Sequence, residues 1–138
     1  MIPADDELGR ILRKARTIAV IGLSADPEKP SHEVAAYLQA HGYRIIPVNP
    51  RGGVILGEAV YADLSAVPEP IDIVDVFRPA AACLKVAREA VAVRAKVLWL
   101  QLGIVNEEAA ALARAAGLAV VMDRCTLREH RRLLARPA

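Results

Sequence analysis

Residues 17–50 read TIAVIGLSADPEKPSHEVAAYLQAHGYRIIPVNP, and the way this stretch divides decides the fold. Thr17 to Leu23 (TIAVIGL) and Tyr43 to Val48 (YRIIPV) are short apolar runs, rich in Ile and Val and continuous rather than alternating. Runs of that kind are expected of strands covered on both faces. Between them, Ser31 to His41 brings Val34, Tyr37 and Leu38 to one side at helical spacing. Pro30-Ser31, with Glu33 close behind, supplies a helix start, and Gly42 sits where the helix must stop. Strand, helix and strand in this order make a parallel unit with a right-handed crossover.

The same grammar continues to the end of the chain. Ile71 to Phe77 (IDIVDVF), Lys96 to Leu102 (KVLWLQL) and Leu118 to Met122 (LAVVM) are three further strands. Pro79 to Arg94 is an Ala-rich helix with Leu84, Ala87 and Val91 in register. Asn106 to Ala116 is another, built around Leu112, opened by Asn106-Glu107-Glu108 and closed by Gly117. A helix over about Asp5 to Arg16 and one from Thr126 flank the set. The expected fold is therefore α/β: a three-layer, doubly wound, Rossmann-like domain with a mostly parallel five-stranded sheet, order 3-2-1-4-5. One long connection, Asn49 to Pro70, breaks the rhythm and predicts either a functional loop or short hidden structure.

Length and composition agree with one domain over 1–138, its core at about 10–133. The chain has 138 residues, 54% of them hydrophobic and 25% charged, which is too apolar and too varied for a disordered or fibrous protein. No apolar stretch approaches membrane-spanning length, and the acidic N-terminus (MIPADDE) is unlike a signal peptide, so a soluble, cytoplasmic protein is expected. Cys83 and Cys125, in no metal-ligand spacing, exclude a disulfide scaffold or zinc ribbon. The net charge of +2 conceals an asymmetry: residues 123–138 hold Arg124, Arg128, Arg131, Arg132 and Arg136 against Asp123 and Glu129. That run reads as a solvated face at the end of a last helix. With aromatics at only 4%, base-stacking nucleic-acid recognition is not expected.

In an open parallel sheet, ligands bind beyond the carboxyl ends of the strands, where the strand order reverses. After the first strand, Gly22-Leu23-Ser24 opens a loop leading to Pro30-Ser31. There, backbone amides and the helix dipole can hold a phosphate, assisted by the hydroxyls of Ser24 and Ser31 and by Lys29. The alternative is a plain strand-to-helix turn. The dinucleotide fingerprint is absent, since Gly22 is followed by no glycine at +2 or +5, and the second strand ends in Asn49 rather than an acid. Asn49-Pro50-Arg51 instead suits a nucleotide carrying an additional phosphate near its ribose, or is a turn with a solvated arginine. Phe77-Arg78 and Gln101-Leu102-Gly103, at the ends of the third and fourth strands, place polar beside apolar groups as a pocket lining does.

Catalytic candidates are few. His32, His41 and His130 read as surface histidines. His130 is singled out only because it follows Cys125 at near-helical spacing. Cys125, beside Arg124, is either a reactive thiol or a small buried one, and Cys83 reads as core. Asp72 and Asp75 are unusual in a central strand. Asp75 lies close enough to the carboxyl end to reach the site, and Asp72 is expected to meet a neighbouring loop. Neither forms an acid and base pair.

The run quoted above, together with DIVDVFR, VLWLQLGIVNEEAA and VVMDRC, resembles the small stand-alone CoA-binding-domain proteins. Their fold is similar to the N-terminal domain of the succinyl-CoA synthetase alpha subunit. The resemblance runs from about Arg10 to Leu133 and implies a Rossmann-like domain holding coenzyme A or an acyl-CoA at the carboxyl edge of the sheet. It makes Gly22, Leu23 and Ser24 the first phosphate-contacting turn, and Pro30-Ser31, beside Lys29, the helix start beneath the pyrophosphate. Asn49, Pro50 and Arg51 stand near the adenosine ribose and its 3′-phosphate, Phe77-Arg78 cover the adenine or diphosphate, and Gln101-Leu102-Gly103 line the pantetheine side. Two departures matter: Asp-Pro-Glu-Lys-Pro replaces the glycine-rich turn of the synthetase, and no second domain or phosphohistidine loop follows. Synthetase chemistry is therefore not implied.

The reading is a small non-enzymatic CoA-binding or regulatory module, serving a separate enzyme as carrier, sensor or partner, with no metal, no nucleic acid and no membrane. The alternatives are a CoA-dependent enzyme or thiol-redox protein using Cys125, and an NAD(P)-binding regulatory domain. Pairing of an exposed edge strand into a homodimer is left open by the sequence.

Overall fold

A computed structural model of the chain describes residues 3–134. In chain order the elements are α1 (Asp5–Lys14), β1 (Thr17–Ile21), α2 (Pro30–Ala40), β2 (Arg44–Val48), β3 (Val54–Ile55), β4 (Glu58–Ala59), β5 (Ile73–Val76), α3 (Cys83–Ala92), β6 (Val97–Leu100), α4 (Glu107–Ala115), β7 (Ala119–Val121) and α5 (Thr126–Leu133). The five expected strands and five expected helices are all present. The Asn49–Pro70 connection holds the antiparallel hairpin β3–β4, followed by a 3-10 turn at Leu64–Ala66. Arg136 lies outside the described residues.

The main sheet runs β2-β1-β5-β6-β7, and every pairing in it is parallel. Tyr61 bridges to Val48 in parallel just outside β2. Counted as the third position, it completes the doubly wound 3-2-1-4-5 pattern around β1. The long strands alone run differently: Ile71–Phe77, third by sequence, supplies β5 beside β1 and not an edge strand outside β2. The edge outside β2 is filled instead by the short segment at Tyr61, whose amide donates to the Pro47 carbonyl at 3.0 Å. The order reverses on either side of β1, so the crevice expected of such sheets opens above β1 and its neighbours.

Alternation along each strand divides the core between two layers. Ala19, Ile21, Ile46, Val74, Val76, Leu98 and Leu100 face α3 and α4. Ile18, Val20, Ile45, Ile73, Val97 and Trp99 face the other way, against α1, α2 and α5. Both sheet faces are thus covered, which is why the strands read as continuous apolar runs. On α3 the buried stripe is Cys83, Val86, Ala87 and Ala90, rotated from the expected Leu84, Ala87 and Val91. Cys83 is core, as expected.

Asn106, Gly42 and Gly117 act as the sequence predicts, and Pro30 opens α2 at its first position without a side-chain cap; Pro79 instead precedes a 3-10 turn at Ala80–Ala82, and α3 begins only at Cys83. Asn106 caps α4 by accepting from the Ala109 amide at 2.9 Å, and Gly42 and Gly117 take left-handed φ of 95° and 94° just past α2 and α4. Asp72, at the amino end of β5, accepts from the amides of Arg16 (2.8 Å) and Thr17 (3.1 Å) and pairs with Lys96. It clamps the edge of the sheet opposite the crevice.

Candidate functional site

The site begins with Gly22. Its amide donates to the Val48 carbonyl at 2.9 Å, and its φ of 84° turns the chain sharply out of β1. A Cβ at this position would stand 2.6 Å from the Phe77 carbonyl oxygen. Only glycine lets the turn lie flat against the end of β5. Leu23 then buries its side chain completely in the core, so this residue offers the site only its backbone. Ser31, in the first turn of α2, accepts from the Ser24 amide through Oγ at 3.0 Å. The acceptor role leaves its hydroxyl proton free to donate. Ser24 Oγ in turn accepts from the Asp26 amide at 3.0 Å, and Asp26 from the Glu28 amide at 2.9 Å. The Asp-Pro-Glu-Lys-Pro segment is thus a self-bonded loop, where the synthetase pattern has a glycine-rich turn.

Above these residues lies an open crevice of about 880 Å³, bordered by the ends of β1, β5 and β6, the start of α2 and the start of α5. It gathers Gly22, Ser24, Lys29, Pro30, Ser31, Phe77, Arg78, Gln101 and Leu102 from the expected set. Lys29, Arg78, Arg128 and Arg131 border it against one acid, Glu33. The positive end of α2 adds to this field. Ile104, Val34 and Leu127 give it an apolar floor.

Five expected residues stand apart from that crevice. Leu23 is in the core. Asn49 is a strut: its Nδ2 donates to the Leu23 carbonyl (3.0 Å) and its Oδ1 accepts from the Arg51 amide (3.0 Å), tying together the loops after β1 and β2. Pro50 borders a second, smaller hollow of about 290 Å³ that shares Arg78 and Pro79 with the first and also reaches Lys85. Arg51 is exposed next to it. The Gly103 amide is engaged by Asp123 Oδ1 at 2.6 Å, joining the tips after β6 and β7.

Sequence reasoning missed the contribution of α5. Cys125, Leu127, Arg128 and Arg131 form one wall of the crevice, so the arginine run is not only a solvated face. Arg132 does what such a face does, pairing with Asp5 and Glu129. Arg131 lies over the Tyr37 ring, 5.4 Å from its centroid. His130 is not a surface histidine: it is buried between α2 and α5, its Nδ1 bonded to Tyr37 Oη at 2.9 Å and its ring against His41 and Tyr43. Burial, with His41 nearby, lowers its pKa. No spacing signal marked this face, because the arginines that border the crevice, Arg128 and Arg131, adjoin one that faces solvent, Arg132.

Behind the wall sits a buried polar network. Asp75 is fully buried; its Oδ1 accepts from Gln101 Nε2 at 2.5 Å and its Oδ2 from the Thr126 hydroxyl at 3.0 Å. Gln101 Nε2 also donates to Thr126 Oγ1 at 2.9 Å. Desolvation pushes the Asp75 carboxyl up to about 7, against the pull of these two donors. Asp75 therefore reaches the site only through Gln101 and Thr126. Among the described residues no cluster of His, Cys, Asp and Glu could hold a metal ion, and no helix is long and apolar enough to cross a membrane.

Comparison with known proteins matches this geometry to a family. A family model described as a CoA binding domain covers residues 16–131. The uncharacterized protein YneT of Bacillus subtilis (strain 168) is 41% identical over 128 residues, which is 93% of this chain and 95% of that protein. Among solved structures, cell-free ID.343 from Thermus thermophilus is 45% identical with a TM-score of 0.92, covering 96% of this chain and 100% of its own. A hypothetical protein from Pyrococcus horikoshii OT3 is 37% identical with a TM-score of 0.93, covering 96% of this chain and 93% of its own. On the strength of a match that takes in every strand and the whole crevice, this chain belongs to the CoA binding domain family.

Proposed function

We propose that residues 1–138 act as one Rossmann-like domain that binds coenzyme A or an acyl-CoA along the carboxyl edge of its sheet, as a non-enzymatic binding or regulatory module in the cytoplasm. The observation that carries this reading is the cradle at Gly22, where the missing Cβ brings the turn against Phe77 and opens the start of α2 to the crevice. Helix amides, a free Ser31 proton and several cations are donors that suit phosphate, and an apolar floor suits a pantetheine arm. The donor set fits CoA, a ligand with a diphosphate, a separate 3′-phosphate and a long uncharged arm.

Each part of the ligand has its residues in this arrangement. Gly22, Ser24, Lys29, Pro30 and Ser31 hold the diphosphate, with Leu23 contributing only its backbone. Arg51 meets the 3′-phosphate while Asn49 and Pro50 fix the loop that carries it. Phe77 and Arg78 cover the adenine or diphosphate between the two hollows, and Gln101, Leu102 and Gly103 line the path of the arm. Isothermal titration with CoA, NAD and ATP under one set of conditions tests the reading. Micromolar heat with CoA and little with the other two is expected; heat with NAD alone would replace CoA by a dinucleotide in the same fold.

A further inference from the structure

Cys125 and Cys83 differ in what they face. Cys83 is buried at the start of α3, directed at the Pro79 carbonyl, and its thiol pKa is raised by burial. Cys125 is half-buried immediately before α5 and borders the same crevice as Gly22 and Ser31. Its position is fixed from below, because the buried Trp99 donates its Nε1 proton to the Arg124 carbonyl at 2.8 Å.

Gln101 marks this end of the crevice independently. It is only 4% exposed, and its Nε2 is committed to Asp75 and Thr126. No hydrogen bond reaches its Oε1 among the described residues, and no buried polar atom there is left without a partner, so this oxygen is accessible from the crevice that the residue borders. An amide oxygen open to a cavity, on a side chain whose nitrogen is locked in place, is a place for a ligand N–H. Strand order then sets the direction of the ligand. Arg51 follows β2 at one edge of the sheet, and Cys125 follows β7 at the other. A ligand with its phosphorylated ribose at Arg51 and its diphosphate at α2 sends its amide-bearing arm from β1 across β5 and β6, past Gln101. Three inter-strand spacings, about 14 Å, bring the end of that arm to Cys125.

We propose that Cys125 is a modification site that captures the terminal thiol of the ligand as a mixed disulfide; this rests on the CoA reading above. The co-reactant is a disulfide of CoA. The Cys125 thiol gives up its proton, its sulfur attacks one sulfur of the incoming disulfide, and that S–S bond breaks as the Cys125–CoA bond forms. The released CoA thiolate takes up the proton. One disulfide is consumed and one is made, so no further oxidant is needed.

The test incubates the reduced full chain with CoA disulfide, or with glutathione disulfide at equal concentration, and follows intact mass and the modified peptide without reductant. The expected result is one CoA adduct per chain on the Cys125 peptide, reversed by dithiothreitol, absent in Cys125→Ser and kept in Cys83→Ser. Capture in a bound complex should make the reaction at least about tenfold faster with CoA disulfide than with glutathione disulfide. Equal rates, an adduct on Cys83, or no adduct would overturn the proposal. Titration of Cys125→Ser with CoA separates the two readings: retained binding without adduct in the wild type sinks only the disulfide, whereas no binding in either protein sinks the CoA reading itself.

Discussion

At Gly22 two constraints coincide, a φ of 84° and a carbonyl oxygen 2.6 Å from where a Cβ would sit. Neither yields to side-chain repacking, because the obstacle is backbone. Gly22→Ala is expected to lower unfolding free energy by about 1–3 kcal/mol, read from urea denaturation, and to weaken CoA binding as the turn shifts. Arg51 supplies a different residue-level test. If it meets the 3′-phosphate, Arg51→Ala should weaken CoA by about 1.5–3 kcal/mol while leaving dephospho-CoA nearly unchanged in parallel titrations. Equal loss for both ligands would place the guanidinium elsewhere. Single residues were unevenly legible in the sequence. Gly42 and Gly117 announce helix ends because glycine there has one common reason, whereas Asn49 reads as a ligand contact and is built as a strut, since one amide serves either purpose.

The network of Asp75, Gln101 and Thr126 joins two strands to α5 and is the feature of the elements most sensitive to pH. The folded-state pKa of Asp75 is raised from 3.8 to about 7, so between these values the folded protein holds a proton that the unfolded chain releases. Its contribution is therefore fully present below about pH 4 and is lost as pH rises toward 7. Asp75→Asn keeps the shape and removes the titration. The stability of this variant relative to wild type should rise from pH 5 to pH 8, by on the order of 1–3 kcal/mol in denaturation at the two pH values. A difference that stays flat would mean that Asp75 is ionised throughout. At this scale the sequence showed the strands and helices within about two residues, because Pro, Gly and Asn punctuate them, except that α3 starts four residues after the expected Pro79, beyond a 3-10 turn. It did not show the β3–β4 hairpin: Leu56-Gly57 at its turn, with φ of 54° and 76°, lacks the usual Asn-Gly or Asp-Gly signal. Nor did it show the crevice face of α5, whose arginines have the composition of an ordinary solvated helix end.

For the whole molecule, doubly wound topology leaves two opposite edges that a ligand can approach. The carboxyl edge holds the crevice of about 880 Å³ with its cations and the start of α2. The amino edge holds a hollow of about 350 Å³ beside α1, where Arg10, Lys14 and Lys96 face Glu7 and Asp72, a smaller excess of positive charge than that of Lys29, Arg78, Arg128 and Arg131 over Glu33 in the crevice. Size, helix dipole and unmatched positive charge all favour the first for an anionic ligand with a long arm. The placement of Ile71–Phe77 beside β1 was the topological detail that apolar runs do not encode, since every inner strand of a covered sheet has the same composition. The most direct measurement is a set of amide ¹H–¹⁵N spectra of the labelled protein titrated with CoA. Binding at the carboxyl edge predicts the largest shifts at Gly22, Ser24, Ser31, Arg78, Leu102 and Cys125. Shifts confined to Lys14, Asp72 and Lys96, or no shifts at all, would contradict it.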